Sequence, residues 1–181
     1  MSIRASVASV APSSFASNFS TFPNSYCFRP SAVITAVVMT LQQRACGLVI
    51  FRRFQGTIQY LLMQTSYGDH HWTPPKGHVD PDESDMETAL RETREEAGFV
   101  PSDLKIFEDA RHEMTYEVKG RPKIVIYWLA ELLNPDKPVR LSDEHQAFDW
   151  LPLREACDRA RYDEMRKALN EFDKYVSRNL A

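Results

Sequence analysis

An α/β/α sandwich built around a mixed β-sheet is the fold class that the sequence predicts, on three observations. Short runs rich in apolar and β-branched residues recur along the chain and bracket segments of helical periodicity. One of those segments, residues 84–97, carries start and stop signals at its two ends. Two further helical patterns follow the last strand-like run, over residues 153–179.

Taken in order, Ala45 to Phe51 is apolar and β-branched and reads as the first strand. Thr57 to Gln64 alternates loosely and reads as its partner, with Gly56 in the turn between them. Residues 66–79 hold Gly68, Pro74, Pro75 and Gly77, and so read as loop. Ser84 to Ala97 is the best-marked helix: Ser84 with Glu87 makes a capping box, and Gly98 is placed to end it. Met86, Ala89, Leu90, Thr93 and Ala97, at spacings of three and four, predict its buried stripe. Leu104 to Phe107, Ala110 to Val118 and Ile124 to Leu132 read as strands, the last two joined by a turn at Gly120, Arg121 and Pro122. Ala147 to Leu151 is a short strand. Leu153 to Arg161 and Tyr162 to Asn179 are helices, the second carrying Met165, Leu169, Phe172 and Val176 at helical spacing. Trp128 and Trp150 are assigned to the core.

The first 38 residues are rich in Ser, Ala and Phe, contain Pro12, Pro23 and Pro30, and sustain no period. They read as a disordered extension, which places the folded domain at residues 39–181. Acid-free and Ser-rich, the extension also fits a mitochondrial targeting segment on an otherwise cytoplasmic protein, or a leader upstream of a working start at Met39. No Asp or Glu occurs before Asp69, whereas residues 69–181 carry all 25 acidic residues. The formal net charge of −3 argues against a nucleic-acid binder held by a basic surface. No apolar run reaches the ~18 residues of a membrane-spanning helix. Cys27, Cys46 and Cys157 are odd in number and unpaired in spacing, so they make neither a disulfide framework nor a zinc site.

The chemistry concentrates between His70 and Phe99. Glu92, Glu95 and Glu96 stand at i, i+3 and i+4, so their carboxylates share one helix face. Like charges that close raise each other's proton affinity. Alone, the trio fits either a solvated face relieved by Arg91 and Arg94 or a site for a hard cation that takes oxygen ligands and is completed by phosphate. The preceding segment, Trp72-Thr73-Pro74-Pro75-Lys76-Gly77-His78-Val79, favours the second reading. Two prolines stiffen it, Gly77 permits a backbone geometry that turns a carbonyl toward a cation, and Lys76 adds a charge for phosphate.

The spacing Gly77, Glu83, Arg91-Glu92-Thr93-Arg94-Glu95-Glu96-Ala97-Gly98-Phe99 resembles the signature of the Nudix hydrolase superfamily. Thr93 stands where that family usually has an aliphatic residue. The resemblance implies the Nudix-type α/β/α sandwich, with Gly77, Glu83, Arg91 and Gly98 as structural positions. Four further segments, Arg44 to Leu48, His70 to Val79, Ile126 to Ala130 and Glu144 to Gln146, are similar to the animal branch of the diadenosine tetraphosphate hydrolases. That similarity runs from about Thr40 to the C-terminus.

What the resemblance implies is specific. Glu92 is the base that activates water, and Glu92, Glu95 and Glu96, the Lys76 carbonyl and Glu144 hold Mg2+ (or Mn2+). Tyr116 and Phe148 resemble the aromatic pair that stacks the purine, each stacked base being worth roughly 1–3 kcal/mol, with core packing the competing reading for both. Lys76, Lys119, Lys123 and His71 are placed to meet phosphate, with exposed hairpin lysines the competing reading for Lys119 and Lys123. Glu113 is a secondary candidate for metal or base, and His145 a scaffold residue. The implied reaction is asymmetric hydrolysis of diadenosine tetraphosphate to ATP and AMP by a monomer, with a small dinucleoside polyphosphate as partner and neither nucleic acid nor membrane involved. The alternatives are a Nudix hydrolase of another nucleoside or inositol polyphosphate, and an inactive nucleotide-binding sensor.

Overall fold

The sheet grows from β1 (Gln43–Phe54), whose residues 45–51 are all buried. A computed structural model describes residues 43–118 and 120–180. The expected extension over residues 1–38, Cys27, Met39 and the candidate phosphate ligand Lys119 lie outside the described residues. β1 turns back into antiparallel β2 (Thr57–Thr65) through Gln55 and Gly56, both at positive φ (49° and 76°), as a tight two-residue hairpin needs. On its other side β1 runs parallel to β6 (Arg121–Leu132). Strands buried on both faces lose the polar alternation of half-exposed ones, which is why the β1 sequence reads as one apolar run.

The loop expected over residues 66–79 contains two short strands, β3 (Trp72–Thr73) on β2 and β4 (Lys76–His78) on β1. Pro74 and Pro75 sit between them and cannot donate to a ladder, so the pairing is interrupted where the chain crosses from one strand to the next. The expected pair of strands between residues 104 and 118 is one strand, β5 (Leu104–Val118). Its register on β6 shifts between Phe107 and Arg111, and that bulge absorbs the polar Glu108 and Asp109 that divide the sequence pattern in two. With β7 (His145–Leu151) on β2, the seven strands follow the order β3-β2-β1-β6-β5, β4 and β7 lying off that path.

Alternation along β1 and β6 feeds two cores. Val49, Phe51, Val125, Tyr127 and Leu129 face α2 (Leu153–Ala160) and α3 (Asp163–Asn179), meeting Ala156, Met165, Leu169 and Phe172. Cys46, Leu48, Ile50, Ile126 and Trp128 face α1 (Asp85–Ala97), meeting Ala89, Ala97 and Phe99. This is the mixed-sheet sandwich expected, with each face covered by helix. Trp128 is buried and Trp150 packs partly buried beside the same core. Among the described residues no helix is long and apolar enough to cross a membrane.

α1 begins and ends as its sequence implies. The Ser84 side chain accepts from the Glu87 backbone and the Glu87 side chain from the Ser84 backbone, and Gly98 closes the helix at φ 77°. Thr93 is wholly buried, and its hydroxyl has no hydrogen-bond partner among the described residues. A buried hydroxyl left unpaired costs stability, while its β-branched shape costs nothing. Thr93→Val is therefore expected to raise the free energy of unfolding by about 1 kcal/mol in a denaturant titration; a loss instead would show that the hydroxyl is bonded.

Candidate active site

β4 delivers the loop to the helix. Its register on β1 sets Gly77 opposite Cys46 and Lys76 opposite Gly47. A side chain at Gly47 would overlap the Pro75 carbonyl and Lys76, so that close approach needs glycine. Leu48 N–H donates to the same Pro75 carbonyl at 3.2 Å. On the far side, a Cβ at Gly77 would run into the Glu92 carboxylate, and the Lys76 N–H donates to Glu96 Oε2 at 2.8 Å. The loop thus lies directly on the acidic helix.

Arg91 organises the carboxylates. Its guanidinium donates to both oxygens of Glu83 (2.8 and 2.9 Å), to Glu92 Oε1 (2.6 Å), to Glu95 Oε2 (3.2 Å) and to the His78 carbonyl (3.0 Å). Glu83 also accepts from the Thr88 hydroxyl at 2.8 Å. Those donors, Arg91 first, hold the Glu83 carboxyl down at about 2, the mark of a structural anion. Arg44 pairs with Asp85 and ties the start of β1 to the first turn of α1.

The three helix glutamates do not share one environment. Glu96 is buried, and burial pushes its carboxyl up to about 7, opposed by Lys76 and reinforced by the charges of Glu92 and Glu144. Glu92 is 14% exposed and is raised by burial, with Arg91 opposing and Glu95 and Glu144 adding to the rise. Glu95 is half exposed. His145 Nε2 lies 4.0 Å from Glu96, but burial holds His145 down to about 4, so it remains a neutral neighbour there. Among the described residues no three acidic, His or Cys side chains converge into a ready-made cage for an ion. The donors are nonetheless all oxygen, and two are held at raised proton affinity by burial and mutual repulsion. A hard dication that keeps several of its waters relieves that repulsion without needing a cage, so the residues fit one.

Two cavities open beside this cluster. A pocket of about 200 Å³ is lined by Gly77, Asp80, Arg91, Glu92 and Glu144. A cleft of about 710 Å³ is lined by Tyr116, Tyr162, His71, Trp72 and Glu117. Tyr67, Lys76 and Lys123 line both and join them. Burial, with Lys76 nearby, lowers the proton affinity of Lys123, and the same two causes lower that of His71. Burial also raises the hydroxyl of Tyr67, helped by the charges of Glu144, Glu96 and Glu92.

Of the candidate residues, Lys76, Glu92, Glu144 and Lys123 meet at the small pocket, and His71 and Tyr116 at the cleft. Phe148 lines neither cavity. It pairs across the sheet with Met63, which packs on the α1 side, whereas the cleft is floored by Met114, Val125 and Tyr127 from the opposite core. Period-two alternation along β7 sends it to the wrong face. Tyr67, Trp72, Tyr127 and, at the α2–α3 corner, Tyr162 are the aromatic residues that line the cleft with Tyr116. Glu113 lines neither cavity and bonds Arg111 on the exposed face of β5. Tyr67, Asp69 and Tyr162 were not found by motif or period. The only trace they leave is an aromatic or acidic side chain in a loop or a helix–helix corner where no core calls for it.

Comparison with known proteins adds to this geometry. A family model described as the NUDIX domain matches residues 41–178. The chain is 54% identical over 139 residues to the bis(5'-nucleosyl)-tetraphosphatase [asymmetrical] of Mus musculus, a match covering 74% of this chain and 95% of that protein. It is 50% identical over 134 residues to the protein of the same name from Caenorhabditis elegans, covering 74% and 96%. A crystal structure of a C. elegans Ap4A hydrolase binary complex superposes with a TM-score of 0.73 at 50% identity, covering 75% of this chain and 98% of that one.

The raised Glu96 carboxyl has a pH signature. An unfolded glutamate ionises near 4.5, so between there and about 7 the folded chain binds more protons and this group makes stability fall as pH rises. In chelator, Glu96→Gln is expected to melt above the parent at pH 8 and with no such gain at pH 5. Equal melting shifts at both pH values would mean that Glu96 is not held protonated by burial.

Proposed function

The chain belongs to the Nudix family, and on that footing we propose that it is a divalent-cation-dependent hydrolase that splits diadenosine tetraphosphate asymmetrically into ATP and AMP, its catalytic domain spanning residues 39–181. The observation that carries this reading is the adjacency of the two cavities, which share Tyr67, Lys76 and Lys123 in their walls. An elongated ligand with an aromatic head and a polyanionic tail fits that shape. The head enters among tyrosines, the tail passes cationic side chains, and the far end reaches carboxylates. The named activity of the mouse and nematode relatives, half identical to this chain over most of their length, supports the same substrate.

In this reading a purine lies between Tyr116 and Tyr162, which replaces Phe148 as the second aromatic wall. Lys76 and Lys123 neutralise the phosphates that leave, with His71 beside them in the cleft wall. The carboxylates of Glu92, Glu95, Glu96 and Glu144, with the Lys76 carbonyl, hold magnesium or manganese. When bound, the cation supplies charge neutralisation to the phosphates and a lowered proton affinity to the attacking water. Glu92 takes the proton of that water as its oxygen bonds to the phosphorus fourth from the far adenosine. The bridging P–O bond on the triphosphate side breaks, so ATP departs and AMP keeps the new oxygen. Arg91 keeps the Glu92 carboxylate oriented through the 2.6 Å bond to Oε1. Buried surroundings raise the proton affinity of Glu92, the direction that suits a general base.

Incubation with diadenosine tetraphosphate and magnesium, followed by chromatography, is expected to yield ATP and AMP in equal amounts; two molecules of ADP, or no product, would overturn the reading. Glu92→Gln is expected to lower kcat by about 10²- to 10⁴-fold. Tyr116→Ala is expected to raise KM by about tenfold or more and to affect kcat less, as loss of a stacked base does. The reverse split would remove Tyr116 from the base site.

A further inference from the structure

We propose that Asp69 is a positioning residue for the nucleotide cleft, a carboxylate that ties the loop carrying Tyr67 and His71 to the α2–α3 corner carrying Tyr162 and so sets the spacing between two of its walls. Three side chains converge on it. The Tyr162 hydroxyl donates to Oδ2 at 2.8 Å, His71 Nδ1 lies 3.1 Å from Oδ1, and Arg161 Nη1 lies 3.4 Å from Oδ2. The His71 ring meets the Tyr162 ring edge-on, with centroids 6.0 Å apart at 73°. Tyr162 is thereby held at its hydroxyl and at one edge, while it still lines the cleft.

Both segments need such a tie, because both are strained. Arg161 sits at φ 61° and ψ −44°, inside a three-residue turn closed by Tyr162 N–H donating to the Ala160 carbonyl at 2.6 Å. That is the positive-φ form of the γ-turn, which non-glycine residues rarely adopt. Across the cleft His70, next to Asp69, sits at φ 51°, in the left-handed region that non-glycine residues seldom occupy. Strained backbone persists only where surrounding contacts over-determine it. Here the contacts from both strained segments meet on one carboxylate. Its partial exposure makes each single contact modest, so the convergence of three donors is what holds the corner. Tyr162 lines the cleft that Tyr116 also lines and Phe148 does not, so whatever fixes the Tyr162 ring shapes how an aromatic head is gripped. The water-activating carboxylates gain nothing directly from Asp69.

This inference rests on the cleft being the nucleoside site, and the test separates the two claims. In the full chain, Asp69→Ala, Asp69→Asn, Tyr162→Phe and the double variant Asp69→Ala/Tyr162→Phe are compared by diadenosine tetraphosphate kinetics and by calorimetric titration with ATP in magnesium. Asp69→Ala is expected to raise KM and weaken ATP binding by about tenfold, with a smaller change in kcat, as loss of a hydrogen bond to a charged group does. Asp69→Asn, which keeps an acceptor for the Tyr162 hydroxyl, is expected to lie between it and the parent. The double variant is expected to be no worse than Asp69→Ala alone, since both changes remove one contact. Additive losses, or KM and ATP affinity unchanged in Asp69→Ala, would overturn the role. If Asp69→Ala does not fold, Asp69→Asn against Tyr162→Phe decides by the same measures. Should the parent bind ATP with this dependence on Asp69 yet leave diadenosine tetraphosphate intact, the hydrolytic reading falls and the positioning role stands. Should the parent bind no ATP, both fall.

Discussion

The Lys76–Gly77 backbone lies directly on the acidic face of α1, and the candidate site depends on that contact. Gly77 has no side chain, so the Glu92 carboxylate occupies the space a Cβ would take. One residue earlier the backbone N–H donates to Glu96. The contact exists because β4 is pinned to β1, where Gly47 allows the Pro75 carbonyl to come close. Two glycines on two different strands thus bring a rigid cationic loop against three like-charged carboxylates. Without that backing the carboxylates would separate into solvent, as repelling groups on an unsupported helix do.

Arg91 balances the repulsion without removing it. A single guanidinium meets Glu83, Glu92 and Glu95 and the His78 carbonyl, and its planar fork supplies enough donors for all of them. Glu83 takes two of the guanidinium's hydrogen bonds and is held ionised, a structural anion. Glu96 receives only a backbone N–H and distant Lys76 charge, so its proton affinity stays high. The same cluster therefore contains an anchor and an unrelieved anion, and a dication has most to gain at the second. Lys76 and Lys123 line both cavities, so an acidic protein still places two cationic side chains between this cluster and the larger cleft.

Much of this was legible in residue order because it is local. Capping by Ser84 and Glu87, termination at Gly98 and the i, i+3, i+4 spacing of the glutamates concern neighbours within one helix, and period and turn chemistry report such neighbours directly. The two-sided burial of β1 and β6 was equally visible as unbroken apolar runs. The short strands around Pro74 and Pro75 were not, since two or three residues carry no period and their partners lie far away in sequence.

Sequence by itself therefore determined the acidic helix and its caps, which are written in contacts a few residues apart, and the sandwich through the order of its strand-like and helical segments. Tertiary structure alone decided which aromatic residues line the cleft with Tyr116. Tyr162 enters the cleft through a strained corner latched to Asp69, 93 residues away in the chain, and Phe148 leaves it because β7 turns that position toward α1. It also decided that glutamates of one helix face would differ, with Glu96 buried and Glu95 half exposed. Burial and long-range partners depend on how elements pack, and no periodicity within one element encodes them.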